Sequence, residues 1–167
     1  MAVIMAWSKC SIKIGETPAS EAMAENLTSI GTIKNQTAVL ESEEGDALEA
    51  VATGGEVVAK ESLEGGFSIT ARIIEPTDAL YTLLGLGEAV TGTTGAYNVN
   101  THLVGKAFSV EVTPKNAGAR GIRAPKTNVT FAAGWSEEEG NYADITFEVV
   151  HGEAGYWYQR FTTTQAL

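Results

Sequence analysis

The chain has 167 residues and a mass of 17.6 kDa, with 44% hydrophobic and 19% charged side chains; this is the balance of one globular domain and excludes a disordered or collagen-like polymer. A chain of this size buries roughly two-thirds of the surface its unfolded form exposes, enough for a core without disulfides or structural metal, and a lone Cys10 with the distant His102 and His151 offers too few soft ligands for a structural zinc site. Eleven basic against twenty-one acidic side chains leave a net charge of −10, which repels nucleic-acid phosphates and anionic membranes and argues against sequence-specific DNA or RNA binding.

The opening Met1-Ala2-Val3-Ile4-Met5-Ala6-Trp7 is apolar but lacks a basic start and a secretory core, and no run approaches the roughly 20 apolar residues of a spanning helix. The expectation is a soluble protein made and folded in the cytoplasm. Ser11-Ile12-Lys13-Ile14 alternates with period two before Gly15, and Thr28 to Lys34 and Thr37 to Glu41 are the next strand candidates. Ala47 to Ala52, Thr53-Gly54-Gly55 and Glu56 to Lys60 spell a hairpin, because glycine supplies the positive φ its turn requires. Phe67 to Ile74 follows, with Phe67, Ile69, Ala71 and Ile73 on one face.

A single short helix is expected over residues 77–84. Thr77 caps it, Asp78 meets the positive end of its dipole, and Gly85 stops it. Two turns are marginal alone, so Leu80, Leu83 and Leu84 must bury against a sheet. Gly85 to Asn98 is rich in Gly and Thr without periodicity, which predicts a long loop. It carries no GxxxxGK[ST] or GxGxxG phosphate cradle.

Strands resume from Val99 to Val112, where Phe108, Val110 and Val112 alternate, and again from Thr127 to Ala132 after Pro125. Ser136 to Asn141 makes an acidic hairpin tip, Ala143 to Val150 alternates, and Tyr156 to Phe161 closes the chain. About eight or nine short strands with one helix predict a single mainly β domain over residues 1–167, a sandwich or barrel.

Charge is unevenly placed. Glu41, Glu43, Glu44, Asp46, Glu49, Glu56, Glu61 and Glu64 face Lys60 alone, a block of −7; Lys106, Lys115, Arg120, Arg123 and Lys126 face Glu111, a block of +4. The blocks are either solvated faces or complementary patches that steer a head-to-tail contact between copies.

Catalytic signatures of the GxSxG, HExxH, CxxC and EF-hand kinds are missing. Ser68 sits inside a strand pattern, His151 abuts Glu148 and Glu153, and Glu137-Glu138-Glu139 is either a hard-cation site or a solvated charge run at a hairpin tip. Strand alternation across Tyr156, Trp157 and Tyr158 would turn Trp157 away from its neighbours, so these rings form no single stacking platform for a sugar.

The order of Gly54-Gly55-Glu56-Val57-Val58, the strand Gly66 to Ile74, the segment Asp78 to Gly85, Pro125 to Phe131, the acidic turn and Ala143 to Val149 resembles the major tail (tail tube) proteins of tailed bacteriophages, over roughly residues 28–163. The resemblance implies a β-sandwich or split barrel flanked by a short helix, shared with the type VI secretion tube protein. It implies self-assembly into hexameric rings that stack into a DNA-conducting tube in the virion, with other phage tail proteins as partners and no catalytic residue, cofactor or metal. Residues 1–8, the loop 85–98 and residues 162–167 are then the arms for contacts between rings. The two charge blocks, through Glu41, Glu43, Glu44, Asp46, Glu49 and Glu56 against Lys106, Lys115, Arg120, Arg123 and Lys126, are the expected interface within an assembly. Competing readings are a carbohydrate-binding or adhesion module using Trp135, Tyr156, Trp157 or Tyr158, a head–tail connector or minor tail component, and a small enzyme built on Asp144, Glu148 and His151.

Overall fold

Period-two alternation buries one face of each long strand, and those faces curl around a single core. The computed structural model describes residue 4 and residues 9–164. In chain order the elements are β1 (Cys10–Glu16), β2 (Thr28–Ser29), β3 (Thr32–Ile33), β4 (Val39–Ser42), β5 (Ala47–Val51), β6 (Val57–Ser62), β7 (Phe67–Ile74), α1 (Asp78–Leu84), β8 (Gly87–Ala89), β9 (Tyr97–Val99), β10 (Ala107–Pro114), β11 (Arg120–Ser136), β12 (Gly140–Val149) and β13 (Gln159–Thr162). The fold is mainly β, as expected. Nine strands form one curled antiparallel sheet in the order β2-β1-β10-β11-β12-β7-β3, with β13 beside β11 and β4 beside β7.

The core is drawn from alternate positions of this sheet: Ile12 and Ile14, Ile69 and Ile73, Phe108 and Val110, Ile145 and Phe147 are all closed to solvent. The predicted face of β7 is confirmed at Ile69, Ala71 and Ile73, while Phe67 at its start is half-buried. The helix also forms as predicted. Thr77 takes an extended conformation and its side chain accepts from the Leu80 amide, while Gly85 adopts φ 72° and closes the last turn. Leu80 and Leu84 are buried, so the helix plugs the core against the curled sheet.

Pro125 lies inside the 17-residue β11, beside a register shift between Phe108 and Val110. A proline cannot donate to the ladder and is tolerated at such a bulge. Its carbonyl is not idle: it accepts from Ser109 Oγ at 2.7 Å and from Thr17 Oγ1 at 3.0 Å.

Four expectations need correction. Residues 85–98 are not one loop, because β8 and β9 pair as a hairpin and the Tyr97 hydroxyl meets Thr82 Oγ1 at 2.9 Å, folding the segment onto α1. Gly92 and Gly95, at φ 81° and 80°, make the turns that allow it. Thr28 to Lys34 is broken at Ile30–Gly31 into two short strands on different neighbours. Val99 to Val112 is likewise two strands separated by an irregular stretch. The last strand begins at Gln159, so Tyr156 to Tyr158 obey no strand alternation: Trp157 and Tyr158 both pack edge-on against Phe67, at 5.7 and 5.0 Å.

Candidate assembly interface

The acidic block is carried almost entirely on an arm. The β4–β7 ladder ends at Ser42 and Phe67, but the two chains keep pairing outward, through Glu43 N to Gly66 O at 2.8 Å and Leu63 N to Asp46 O at 2.7 Å, into the β5–β6 ribbon. Glycine is required at this root. A Cβ on Gly45 would lie 1.6 Å from the Leu63 carbonyl oxygen, and one on Gly65 would lie 1.7 Å from that of Glu43. At the tip Gly54 and Gly55 turn the chain with positive φ. From Ser42 to the tip the rise of a strand gives a reach of about 30 Å.

Every residue of β5 and β6 is exposed. Among them are Leu48, Val51, Val57 and Val58, with Leu63 at the root, all between 45% and 62% exposed. A lone two-stranded ribbon is marginal in water, and a run of bare aliphatic side chains on it is the mark of a surface that meets a partner. The hairpin signal was visible in the sequence; that both faces stand clear of the body was not.

Glu41, Glu43, Glu44, Asp46 and Glu56 are exposed along the arm and its root, and Glu49 bonds Lys60 across the ribbon at 2.9 Å. Trp157 Nε1 donates to Glu64 at 3.1 Å and fastens the root to the body. The acidic block thus stays together.

The basic block does not. Lys106 bonds Glu16 at 3.3 Å, Lys126 bonds Glu21, and Arg123 bonds Glu111 at 2.7 Å while lying 4.1 Å from the Phe161 ring centroid. Only Lys115 and Arg120 of the five are exposed with no ion pair among the described residues. Among the described residues no ion pair therefore joins the two blocks, and three of the five cations are held by other carboxylates.

A groove of about 1020 Å³ with a mixed polar and apolar lining lies where the curled sheet fails to close, between the start of β1, the segment leading through β3 to β4, and the β10–β11 turn. Half-buried Ile33, Leu40, Val112 and Ile122 form its walls. β4 pairs only with β7, so its outer edge is open along this seam.

The acidic hairpin tip at 137–139 is a different structure from a cation site. Glu139 turns inward to meet Lys34 and Arg72, the latter at 2.8 Å, and Arg72 also holds Asp144 in a two-pronged contact at 2.7 and 2.9 Å while stacking 4.4 Å from the Tyr142 centroid. Asp144 is thereby committed to Arg72. Glu148 lies four residues further along β12, about 13 Å away by strand rise, and His151 packs on Trp157 at 5.4 Å; the three residues of the enzyme reading are not brought together. Among the described residues no three His, Cys, Asp or Glu side chains are grouped to hold a metal ion.

These ion pairs govern the response to acid. The hydrogen bond from Lys126 holds Glu21 below the usual carboxylate range, that from Lys34 does the same for Glu139, and Arg72 does so for Asp144. Depressed carboxylates stabilise the folded chain fully above the unfolded carboxylate range and lose that contribution as pH falls through their folded values. The urea midpoint is therefore expected to hold from neutrality to about pH 5 and then decline. Arg72→Met, which frees Asp144, should make the acid decline shallower; an unchanged decline would contradict the assignment.

Residues 162–164, expected as part of an arm, are tied down instead. Thr162 pairs with Arg120, and Thr163 N donates to Ala119 O at 2.9 Å. The remaining arm residues, 1–3, 5–8 and 165–167, lie outside the described residues. No helix among the described residues is long and apolar enough to cross a membrane. No family model and no curated protein matches the chain.

Proposed function

We propose that this chain is the structural subunit of a phage or prophage tail tube, self-assembling into hexameric rings that stack around a DNA-conducting channel. The observation that carries the reading is the arm: an acidic two-stranded ribbon with five bare aliphatic side chains on it and its root, rooted by two obligatory glycines at the end of the β4–β7 ladder. Free in solution, such a ribbon exposes apolar surface for no gain. In an assembly it is the part that one subunit lends to the next.

The architecture supports the same reading. A curled antiparallel sheet plugged by one short helix is the fold that the resemblance to tail tube proteins implies. The net charge of −10 suits a channel wall that must pass DNA without gripping it. An arm on one surface and its receptor on another make a heterologous contact, which closes into a ring when the rotation allows.

Light scattering on a sizing column tests self-assembly. The mass is expected to rise in multiples of 17.6 kDa with concentration and to fall with added salt, which screens the charge component of the contact. A mass fixed at one chain across concentration would count against the proposal.

A further inference from the structure

We infer that the receptor for the arm is the open seam of the sheet on a second copy of this chain, so that each subunit inserts β5–β6 between the β1 and β4 edges of its neighbour. This rests on the self-assembly reading above and names its contact. Three observations lead to the seam. The first is charge. In a chain with twenty-one acids, the twenty described residues lining the seam include no carboxylate; Lys9 and Arg120 among them are exposed with no ion pair among the described residues, while Lys34 is held by Glu139. The arm that would enter it lies in the −7 block. No such complementarity exists between the arm and its own root.

The second is backbone. The outer edge of β4 and the first two residues of β1, Cys10 and Ser11, before Ile30 N bonds Ile12 O at 3.1 Å, present unpaired strand edges on opposite walls of the seam. An incoming ribbon satisfies such edges by continuing the ladder, as strand addition does elsewhere. The third is apolar surface. Ile33, Leu40 and Ile122 in the walls are half-buried by their own chain, and Leu48, Val51 and Val58 on the arm are the side chains that would complete their burial. The arm continues β4 outward from Ser42, whereas the seam lines the beginning of that strand, so a neighbour is the natural recipient.

The chain has one thiol, Cys10, and it stands half-buried in the seam wall. This makes the contact testable by disulfide trapping. The native chain is mixed with a tagged chain carrying Cys10→Ser and Val58→Cys, and oxidised at mildly alkaline pH because burial raises the Cys10 pKa. Leu48→Cys and Val51→Cys, in the same Cys10→Ser background, cover other depths of insertion. At one of these positions the tagged–untagged dimer should exceed either like-with-like dimer by about tenfold, since a disulfide demands Cα atoms within about 7 Å. Assemblies that form normally but give no such dimer at any arm position would overturn the seam as receptor and leave self-assembly standing. Chains that neither assemble nor cross-link would overturn both. A chain bearing Cys10 together with Val58→Cys that closes a disulfide within one monomer would also overturn the inference, by placing the arm in its own seam.

Discussion

Replacing Leu48 and Val58 with Asp is expected to abolish assembly while leaving the folded monomer intact. Both side chains stand in solvent in the single chain, at 55% and 62% exposure, and neither touches the core, so the substitutions remove nothing that holds the monomer together. In the assembled state each aliphatic side chain is worth about 1.5–3 kcal/mol when fully buried. Losing two lowers the association constant by about two to four decades, and the added carboxylates must also be desolvated against an apolar wall. Light scattering should find one-chain mass at concentrations where the native protein is assembled, with a thermal midpoint equal to that of the native chain at a dilution where it too is monomeric. Native-like assembly of the double variant would remove the arm from the contact.

The second large effect concerns the body. Phe147 sits near the end of β12, closed to solvent, opposite Val129 of β11 and Ile69 of β7. Truncating it to Ala leaves a void in the center of the curled sheet that two hydrogen-bonded neighbours cannot collapse to fill. The expected cost is about 3–5 kcal/mol, against a total stability of about 5–15 kcal/mol for a domain. Urea unfolding should show a lower midpoint with an unchanged slope. A loss below about 1 kcal/mol would mean that the core is not centered on β12.

Much of the body was legible because its signals are local. Alternation in Phe67 to Ile74 and Ala143 to Val149 fixed which side chains point inward, and Thr77, Asp78 and Gly85 marked both ends of the one helix among the described residues. Where legibility failed, the deciding interactions join residues far apart in sequence. Gly87 permits β8 to close on β9 because the Asn98 carbonyl oxygen occupies the place of its Cβ, 1.9 Å away; composition alone shows only a glycine-rich stretch. Tyr156 to Tyr158 looked like strand, yet packing of Trp157 and Tyr158 on Phe67 holds them outside the ladder.

The charge blocks divide along the same line. The acidic one survives because it occupies a single ribbon that touches little else. The basic one dissolves because Lys126 finds Glu21 from 105 residues away and Arg123 faces Glu111 across the β10–β11 ladder. Reversing Arg120 and Arg123 together is consequently a poor probe of assembly: a Glu at position 123 would confront Glu111, whose side chain is only 16% exposed, and would damage the monomer. Arg120 with Lys9, both exposed on the seam, is the pair whose reversal reports on the contact alone.

Electron microscopy of the largest species in a concentrated, low-salt preparation tests the central claim most directly. The account predicts rings of uniform subunit number around an open lumen, stacking into tubes, with density for each ribbon lying in the seam of an adjacent copy. Single particles of one-chain size at every concentration, or closed two-fold dimers in which both arms meet each other and leave the seams empty, would contradict it.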